Sequence, residues 1–351
     1  MADKTTSFAQ QILDAQYLAM QEDPTMICMG LGIDDPKAIF GTTQGLQETF
    51  GEQRVFDMPT AENAMTGIGI GAAVAGTRVL MTHQRVDFFL LAMDQLVNNA
   101  AKWHYMFNGQ MTVPLTIRLI VGRGWGQGPT HQQSLQSWFS HIPGLKVVVP
   151  SLTENVGQLL YNAIMDNNPT IFLEHRWLHN QIAPNATACQ PLSEAPQYTR
   201  VLRTGNDYTI ISNSYMLSEA LQAQKYLQQH NVHCEVIEIA SPTSIDWHII
   251  YQSVSKTKRC IVTDMGHTFC SLASEIANKV YSHCYNALLS PVSIIGLPNY
   301  PEPTSYGLTK EYYPDVNTII KTVSNNCGIE IAQLKSRQHH DVPGEWFKGP
   351  F

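Results

Sequence analysis

One carboxylate occupies a place where an acid–base group could act. Glu62 begins a stretch whose apolar spacing predicts a helix over residues 59–76. The helix contains a G-x-G-x-G pattern, but these glycines lie inside it and not in the turn before it, so a dinucleotide fingerprint is weakly supported. Gly67, Gly71 and Ala75 are four residues apart and leave one helix face bare for close packing. From the residues alone, Glu62 is either a partner for the helix dipole or a catalytic carboxylate.

One histidine ends a glycine-rich segment. Residues 122–133 read Gly-Arg-Gly-Trp-Gly-Gln-Gly-Pro-Thr-His-Gln-Gln, with His131 near the end. A loop of this kind could cradle phosphate, although it lacks the Gly-Lys-Ser/Thr ending of a P-loop. Imidazole exchanges protons near neutral pH, so His131 is a candidate acid–base group, and a purely structural role is the alternative.

The elements that must position these groups alternate between strands and helices. This order predicts an α/β fold with parallel sheets covered on both faces. The pattern stops around residues 180–197, where prolines indicate a linker, and then resumes. We therefore predict a domain over 1–183, a linker over 184–204, a smaller α/β domain over 205–323 and a polar extension over 324–351. The predicted strands cover 26–30, 79–81, 115–121, 146–150, 170–174, 208–211, 234–239, 260–263 and 291–295, and the predicted helices include 7–22, 59–76, 88–106, 217–229, 247–255 and 271–281.

Composition excludes several classes of protein. The net charge of −7 argues against nucleic-acid binding, and no apolar run is long enough to span a membrane. Seven scattered cysteines, without a Cys-x-x-Cys pair, fit reduced thiols and predict a cytoplasmic protein. Charged residues make up only 15% of the chain, against about 25% in typical domains. This shortage indicates either surface buried against other chains or a surface built from Gln, Asn, Ser and Thr.

The stretch around Glu62 also matches a known pattern. Thiamine-diphosphate enzymes carry Glu, four residues, Gly, apolar, two residues, Gly, apolar in the domain that binds the aminopyrimidine ring. Residues 62–72 fill every position, and further matches extend from Leu31 to Leu173 and more loosely over 205–323. The chain resembles the β subunit of the E1 component of 2-oxoacid dehydrogenase complexes, which is similar to the C-terminal two-thirds of transketolases. The resemblance implies a pyrimidine-binding transketolase-like domain followed by a smaller transketolase C-terminal domain. Further matching segments are 40–46, 50–51, 54–57, 87–88, 94–95, 98–102, 138–148 and 166–169.

The resemblance assigns roles to four residues around thiamine diphosphate. Glu62 matches the carboxylate that bonds the pyrimidine N1′ and favours the imino tautomer, which takes the proton from the thiazolium carbon. Such a carboxylate works best in a dry pocket. Phe88 matches the aromatic residue that stacks on the pyrimidine, although a core phenylalanine is the plain alternative. Gln84 lies in the segment expected beside the ring, and His131 matches the histidine that faces the substrate.

The same family binds a potassium ion through backbone carbonyls and one Asp. The matching positions are Leu115, Ala163, Ile164, Asp166 and Asn168. Hard cations prefer such oxygen ligands. The alternative for the Asp-Asn-Asn-Pro stretch is an ordinary turn.

One motif of the complete active site is missing. Gly-Asp-Gly, which holds the diphosphate through Mg²⁺ in these enzymes, does not occur in this chain. The resemblance therefore implies a separate α subunit that holds Mg²⁺, in an α2β2 heterotetramer, and a lipoyl acyltransferase as a further partner. It also implies that the chain is active only with that α subunit.

Some positions depart from the family pattern and keep alternatives open. Leu31 and Gly32 replace an acidic pair near the cofactor, and Asp264-Met265 replaces the acidic pair before Gly-His. The first hypothesis is an E1 β subunit that decarboxylates a 2-oxoacid and passes the acyl group to lipoamide. The second is half of a split transketolase or acyloin-type synthase that passes a two-carbon unit to an aldehyde. The third is a non-catalytic assembly subunit.

Overall fold

A computed structural model describes residues 6–35, 38–122, 127–183, 186–191 and 196–334. Part of the predicted glycine loop (123–126), parts of the linker and the extension from 335 onward lie outside the described residues. The chain forms two compact units. The N-terminal unit contains residues up to Val121 and from Trp138 to Pro196, and the C-terminal unit contains Gly122–Ser137 and the chain from Gln197.

The N-terminal unit is built on a six-stranded parallel sheet with the order β3-β2-β4-β5-β7-β6. A short antiparallel pair, β1 with β8, ties the start of the unit to its end. The strands are β1 (Thr6–Ser7), β2 (Ile27–Gly30), β3 (Val55–Asp57), β4 (Val79–His83), β5 (Leu115–Val121), β6 (Lys146–Val148), β7 (Thr170–His175) and β8 (Ile182–Ala183). The helices are α1 (Phe8–Glu22), α2 (Ala38–Gly41), α3 (Leu46–Phe50), α4 (Glu62–Val74), α5 (Val86–Phe89), α6 (Ala101–Met106), α7 (Gln136–Ser140) and α8 (Val156–Met165).

The order of these strands changes direction between β2 and β4. The chain moves from β2 outward to β3 and then returns to β4 on the other side of β2, so the strand order reverses there. In open α/β sheets, ligands bind outside the carboxyl ends of the strands at such a point. Because α4 connects two parallel strands, it runs antiparallel to them and begins at this same edge. The strands approach closely, since a Cβ on Gly30 would collide with the backbone carbonyl of Thr82.

The predicted helix over 88–106 is divided into several pieces. Between α5 and α6 the chain forms a 3-10 turn over Leu90–Ala92 and a π-helical turn over Gln95–Ala100. The changes of helical pitch keep Phe89, Leu96 and Ala100 buried along a segment that a regular helix would rotate away from the core.

The C-terminal unit has a five-stranded sheet with the order β13-β12-β10-β11-β9, parallel except for β9 at its edge. The strand β9 falls inside the predicted linker, and α13 continues past residue 323. The strands are β9 (Thr199–Arg203), β10 (Tyr208–Ser212), β11 (Cys234–Ile239), β12 (Cys260–His267) and β13 (Ser293–Leu297). The helices are α9 (Ser214–Gln228), α10 (Trp247–Thr257), α11 (Leu272–Cys284), α12 (Tyr306–Tyr312) and α13 (Val316–Cys327).

The predicted α/β class is confirmed, and most predicted strands overlap observed ones. The boundaries between the domains are less simple than predicted, because residues 122–137 interrupt the N-terminal stretch and join the C-terminal unit. Within the described residues, no helix is both long and apolar enough to cross a membrane.

Candidate functional site

Glu62 is the first residue of α4, at the carboxyl edge of the N-terminal sheet. Its side chain is 7% exposed and makes no hydrogen bond with any described residue. The N-cap of α4 is Ala61, which has no capping side chain, so the helix dipole is available to the Glu62 carboxylate. A buried carboxylate with no partner is costly unless a ligand bonds it. This geometry fits a group that accepts a hydrogen bond from a bound cofactor.

Gln84 follows β4 directly and lies against the end of β2. A Cβ on Gly32 would collide with Gln84 Nε2, so the absence of a side chain at position 32 makes room for the amide. Gly32 has φ +77°. Its N–H and that of Ile33 donate to the two carboxylate oxygens of Asp57, at 3.0 and 2.5 Å. Gly32, which stands where the family pattern has an acidic residue, thus leaves space that the side chain of Gln84 occupies.

Phe88 lies in α5, next to an apolar surface that continues onto α4. Phe88 is 39% exposed, Ile68 57% and Leu91 67%. The 3-10 turn that carries Leu91 packs against α4. A Cβ on Gly71 would meet nothing within 4 Å, so the helix face stays open. We call Ile68, Gly71, Phe88 and Leu91 the α4 apolar surface.

His131 lies in the part of the chain that belongs to the C-terminal unit. The hydroxyl of Thr130 is 2.9 Å from His131 Nδ1, and the His131 N–H donates to the carbonyl of Gly128 at 3.2 Å. The ring is partly exposed. Glu62, Gln84 and Phe88 therefore belong to one compact unit and His131 to the other.

The predicted potassium ligands surround the turn after α8, and their oxygens are already partly used. Arg78 Nη1 donates to the carbonyl oxygens of Ile164 and Asp166, at 2.6 and 2.9 Å. The hydroxyl of Thr116, the neighbour of Leu115 on β5, donates to the Ala163 carbonyl at 2.8 Å.

The side chains of the same turn complete an oxygen-rich cluster. Lys146 Nζ lies 2.9 Å from Asp166 Oδ2, and the Asn168 N–H donates to Asp166 Oδ1 at 2.9 Å. Asn168 Oδ1 is buried and has no hydrogen-bond partner in the described part of the chain. Oxygens of this kind are the ligands that hard cations prefer, and here Arg78 and Lys146 already place two positive charges beside them.

Two buried ionisable residues, one in each unit, were not predicted as site residues. His83 ends β4, is 1% exposed, and neither ring nitrogen has a partner among the described residues. Burial lowers the pKa of His83 to about 4. Asp264 in β12 is equally buried, and burial raises its pKa despite bonds from Gln136, Asn213 and backbone N–H groups. The available signal for His83 was its position shortly after a predicted strand, and for Asp264 it was the same kind of position together with its place before Gly-His in the family pattern.

The residues that the structure describes hold no group of three or more His, Cys, Asp or Glu placed to bind a metal ion.

Comparison with known proteins decides the family. Residues 5–181 match the transketolase pyrimidine binding domain, and residues 197–319 match the transketolase C-terminal domain. The β subunit of the pyruvate dehydrogenase E1 component of Rickettsia felis is 33% identical over 91% of this chain and 97% of its own length. This chain belongs to the transketolase-like family of E1 β subunits.

Other members of the E1 β family show its range. The mitochondrial pyruvate dehydrogenase E1 β-1 subunit of Arabidopsis thaliana is 32% identical over 88% of this chain and 85% of its own length. The β subunit of an acetoin:2,6-dichlorophenolindophenol oxidoreductase from Cupriavidus necator is 33% identical over 86% of this chain and 91% of its own length. A split-gene transketolase, solved as an inactive β4 tetramer, shares the fold with a TM-score of 0.69 at 17% identity, over 93% of this chain and 99% of that one. The family and the fold class predicted from sequence are confirmed.

Proposed function

We propose that this chain is the β subunit of a thiamine-diphosphate-dependent 2-oxoacid dehydrogenase E1 component, which decarboxylates a 2-oxoacid and transfers the acyl group to lipoamide. The observation that carries the proposal is Glu62, which is largely buried, has no hydrogen-bond partner within the described part of the chain, and starts α4 at the carboxyl edge of the sheet, where the strand order reverses. The family membership supports the same role.

The roles of the residues follow from this placement. When bound, thiamine diphosphate supplies a carbon nucleophile for the keto group and accepts the electrons left by the departing CO₂. Glu62 holds a proton in a hydrogen bond at the pyrimidine N1′, and its low exposure strengthens that bond. Phe88 offers an exposed ring for stacking, and Gln84 offers an amide beside Gly32. His131 orients the substrate through its carboxylate.

The proposal includes an α subunit that carries the diphosphate and Mg²⁺ site, in an α2β2 assembly. The α4 apolar surface supports it, because contiguous exposed apolar residues mark protein interaction sites. The low fraction of charged residues, 15%, agrees with extensive buried surface. The acyltransferase that receives the acyl group would be a further partner.

The test begins with co-expression of this chain and the candidate α subunit. The purified complex is supplied with thiamine diphosphate and Mg²⁺ and assayed for CO₂ release from a series of 2-oxoacids. Glu62→Gln should lower turnover by at least about a hundredfold, the usual contribution of a general acid–base group. The matched control is Glu22→Gln, which changes an exposed carboxylate at the end of α1.

Calorimetric binding of thiamine diphosphate provides a second measurement. Glu62→Gln should weaken this binding, because the carboxylate accepts a bond that a neutral amide accepts less strongly. Full activity and unchanged binding in the Glu62→Gln complex would support the third hypothesis, a non-catalytic assembly subunit.

A second candidate function is acetoin or acyloin chemistry, in which the two-carbon unit is exchanged with an aldehyde. The similarity to the acetoin oxidoreductase β subunit favours it, together with Leu31 and Gly32 in place of the acidic pair. A split transketolase is the related sugar-phosphate version. The same complex should then be assayed with acetoin, aldehydes and sugar phosphates in parallel with the 2-oxoacids; activity confined to these substrates would replace the first candidate.

Two further properties belong to the proposal. A potassium ion binds at the turn formed by Ala163, Ile164, Asp166 and Asn168 beside Leu115, which a higher melting temperature in KCl than in NaCl would test. The chain acts in the cytoplasm, since all seven cysteines are free, as expected in a reducing compartment.

A further inference from the structure

The segment that carries His131 is bonded to the rest of the C-terminal unit by two side chains that follow the histidine. The Tyr313 hydroxyl donates to Gln132 Oε1 at 3.2 Å. Four residues further along, Gln136 Nε2 donates to Asp264 Oδ1 at 2.7 Å. We call residues 127–137 the His131 segment.

Asp264 is the acceptor of the second bond and is deeply buried. It lies in β12 and is 1% exposed. Its Oδ1 also accepts the Met265 N–H at 2.8 Å and the Asn213 Nδ2 at 3.3 Å. Three donors from three separate parts of the chain therefore meet at one carboxylate oxygen.

The packing around this bond leaves little room for the segment to shift. A Cβ on Gly266, two residues after Asp264, would be 2.8 Å from Gln136 Nε2 and 3.4 Å from the Ser134 carbonyl. The Leu272 N–H, at the start of α11, donates to the Ser137 hydroxyl at 2.9 Å. The bond from Gln136 to Asp264 is thus enclosed between β12 and the His131 segment.

The bond between Gln136 and Asp264 lies where the strand order of the C-terminal sheet reverses. The chain passes from β10 to β11 on one side and then to β12 on the other, so the strand order of the C-terminal sheet reverses between β10 and β12. Asn213 follows the end of β10, and Asp264 lies in β12 beside it. The His131 segment is therefore held at the point of the sheet where α/β proteins place their ligand-binding loops.

We propose that Asp264 is a positioning residue: through Gln136 it holds the His131 segment on the C-terminal sheet and so sets the place of His131 during turnover. The inference rests on the proposed function of His131. The positioning role requires that Oδ1 of residue 264 accepts hydrogen bonds, and it does not require a negative charge there.

The test compares three variants in the complex assembled with the α subunit. Asp264→Ala removes the acceptor, Asp264→Asn keeps an oxygen at Oδ1, and Thr263→Val is the matched control. Thr263 is the neighbouring buried residue on β12, and its hydroxyl donates to Ser212 and not to the segment. For each complex, hydrogen exchange of the peptide 127–137 is measured alongside kcat and KM.

Asp264→Ala should raise exchange in this peptide by about tenfold and lower kcat by about tenfold or more, with a smaller change in KM. Asp264→Asn should stay within about twofold of the parent in both measurements, because the amide oxygen accepts the same bonds. Thr263→Val should lower the melting temperature while leaving the exchange of the peptide unchanged. Unchanged exchange in Asp264→Ala, or the same increase in Thr263→Val, would overturn the proposal.

A further comparison separates this inference from the proposed function. If exchange rises in Asp264→Ala while kcat stays unchanged, the anchor is supported and the role of His131 is refuted. His131→Ala tests that role directly, because it removes the ring and leaves every anchoring bond described above in place.

Discussion

Replacing Glu174 by Gln should cost more stability than any other single charge removal on the N-terminal sheet. Arg118 Nε and Nη2 donate to its two carboxylate oxygens at 2.5 and 2.9 Å, and both side chains are 0% exposed. His179 Nε2 is 2.9 Å from Glu174 Oε2. Arg118 also donates to the Thr42 hydroxyl at 2.9 Å, and His179 stacks on Phe40 at 5.0 Å. The cluster thereby joins β5 and β7 to the loop between β2 and β3.

The magnitude follows from the pKa of Glu174. Burial alone would raise it, but the charge of Arg118 and the bonds from His179 and Arg118 outweigh burial and lower it from 4.5 to about 2. That difference corresponds to roughly 3 kcal/mol. Breaking a buried ion pair by removing one partner costs about 3–5 kcal/mol, which agrees. Because the pKa is lower in the folded chain, this stability is present above pH 4.5 and is lost as the pH falls toward 2.

Urea denaturation at pH 7, followed by far-ultraviolet circular dichroism, measures the effect. Glu174→Gln should lower the free energy of unfolding by about 3–5 kcal/mol. The control is Glu275→Gln, which removes an exposed pair with Lys279 on α11 and should cost less than about 0.5 kcal/mol. Equal losses in the two variants, or a difference between parent and Glu174→Gln that does not shrink below pH 4.5, would refute the reasoning.

Three further predictions concern assembly, backbone geometry and pH. Gly71→Leu should abolish co-purification with the α subunit. It should leave the melting temperature of the separate chain unchanged or higher, since a Cβ at position 71 meets nothing within 4 Å and glycine is a poor helix former. A complex that still forms would exclude the α4 apolar surface as the contact. Gly144→Ala should cost about 1–3 kcal/mol more in urea unfolding than Gly51→Ala, because both have positive φ but only Gly144 would collide with the Ala101 carbonyl; equal costs would contradict the contact. Burial lowers the pKa of His83 from 6.5 to about 4. The contribution of the neutral imidazole to the free energy of unfolding is therefore complete above pH 6.5, and it falls by roughly 3 kcal/mol as the pH falls toward 4. His83→Leu should remove that decline, and an unchanged pH profile of stability in this variant would argue against a buried imidazole.

Local sequence patterns were enough to predict most of the regular elements. The run over 115–121, which is rich in β-branched residues, predicted β5 at its observed bounds, because such residues favour strands. The helix after residue 59 was predicted from spacing, but its first residue and the absence of a cap were not. The single helix expected over 88–106 is observed as several helical pieces of different pitch. Packing against the core requires these changes of pitch, and local helix propensity does not encode them.

The sequence by itself determined the family, the α/β class and the position of Glu62 at the start of a glycine-bearing helix, because each depends on residues close together in the chain. Only the tertiary structure decided that Glu62 is largely buried and has no hydrogen-bond partner among the described residues, that Gln84 lies over Gly32, and that residues 122–137 belong with the second unit. It also decided the bond between Gln136 and Asp264, two residues 128 positions apart. Such contacts arise where separate elements bury each other's surfaces, and neither partner carries a local signal of the other.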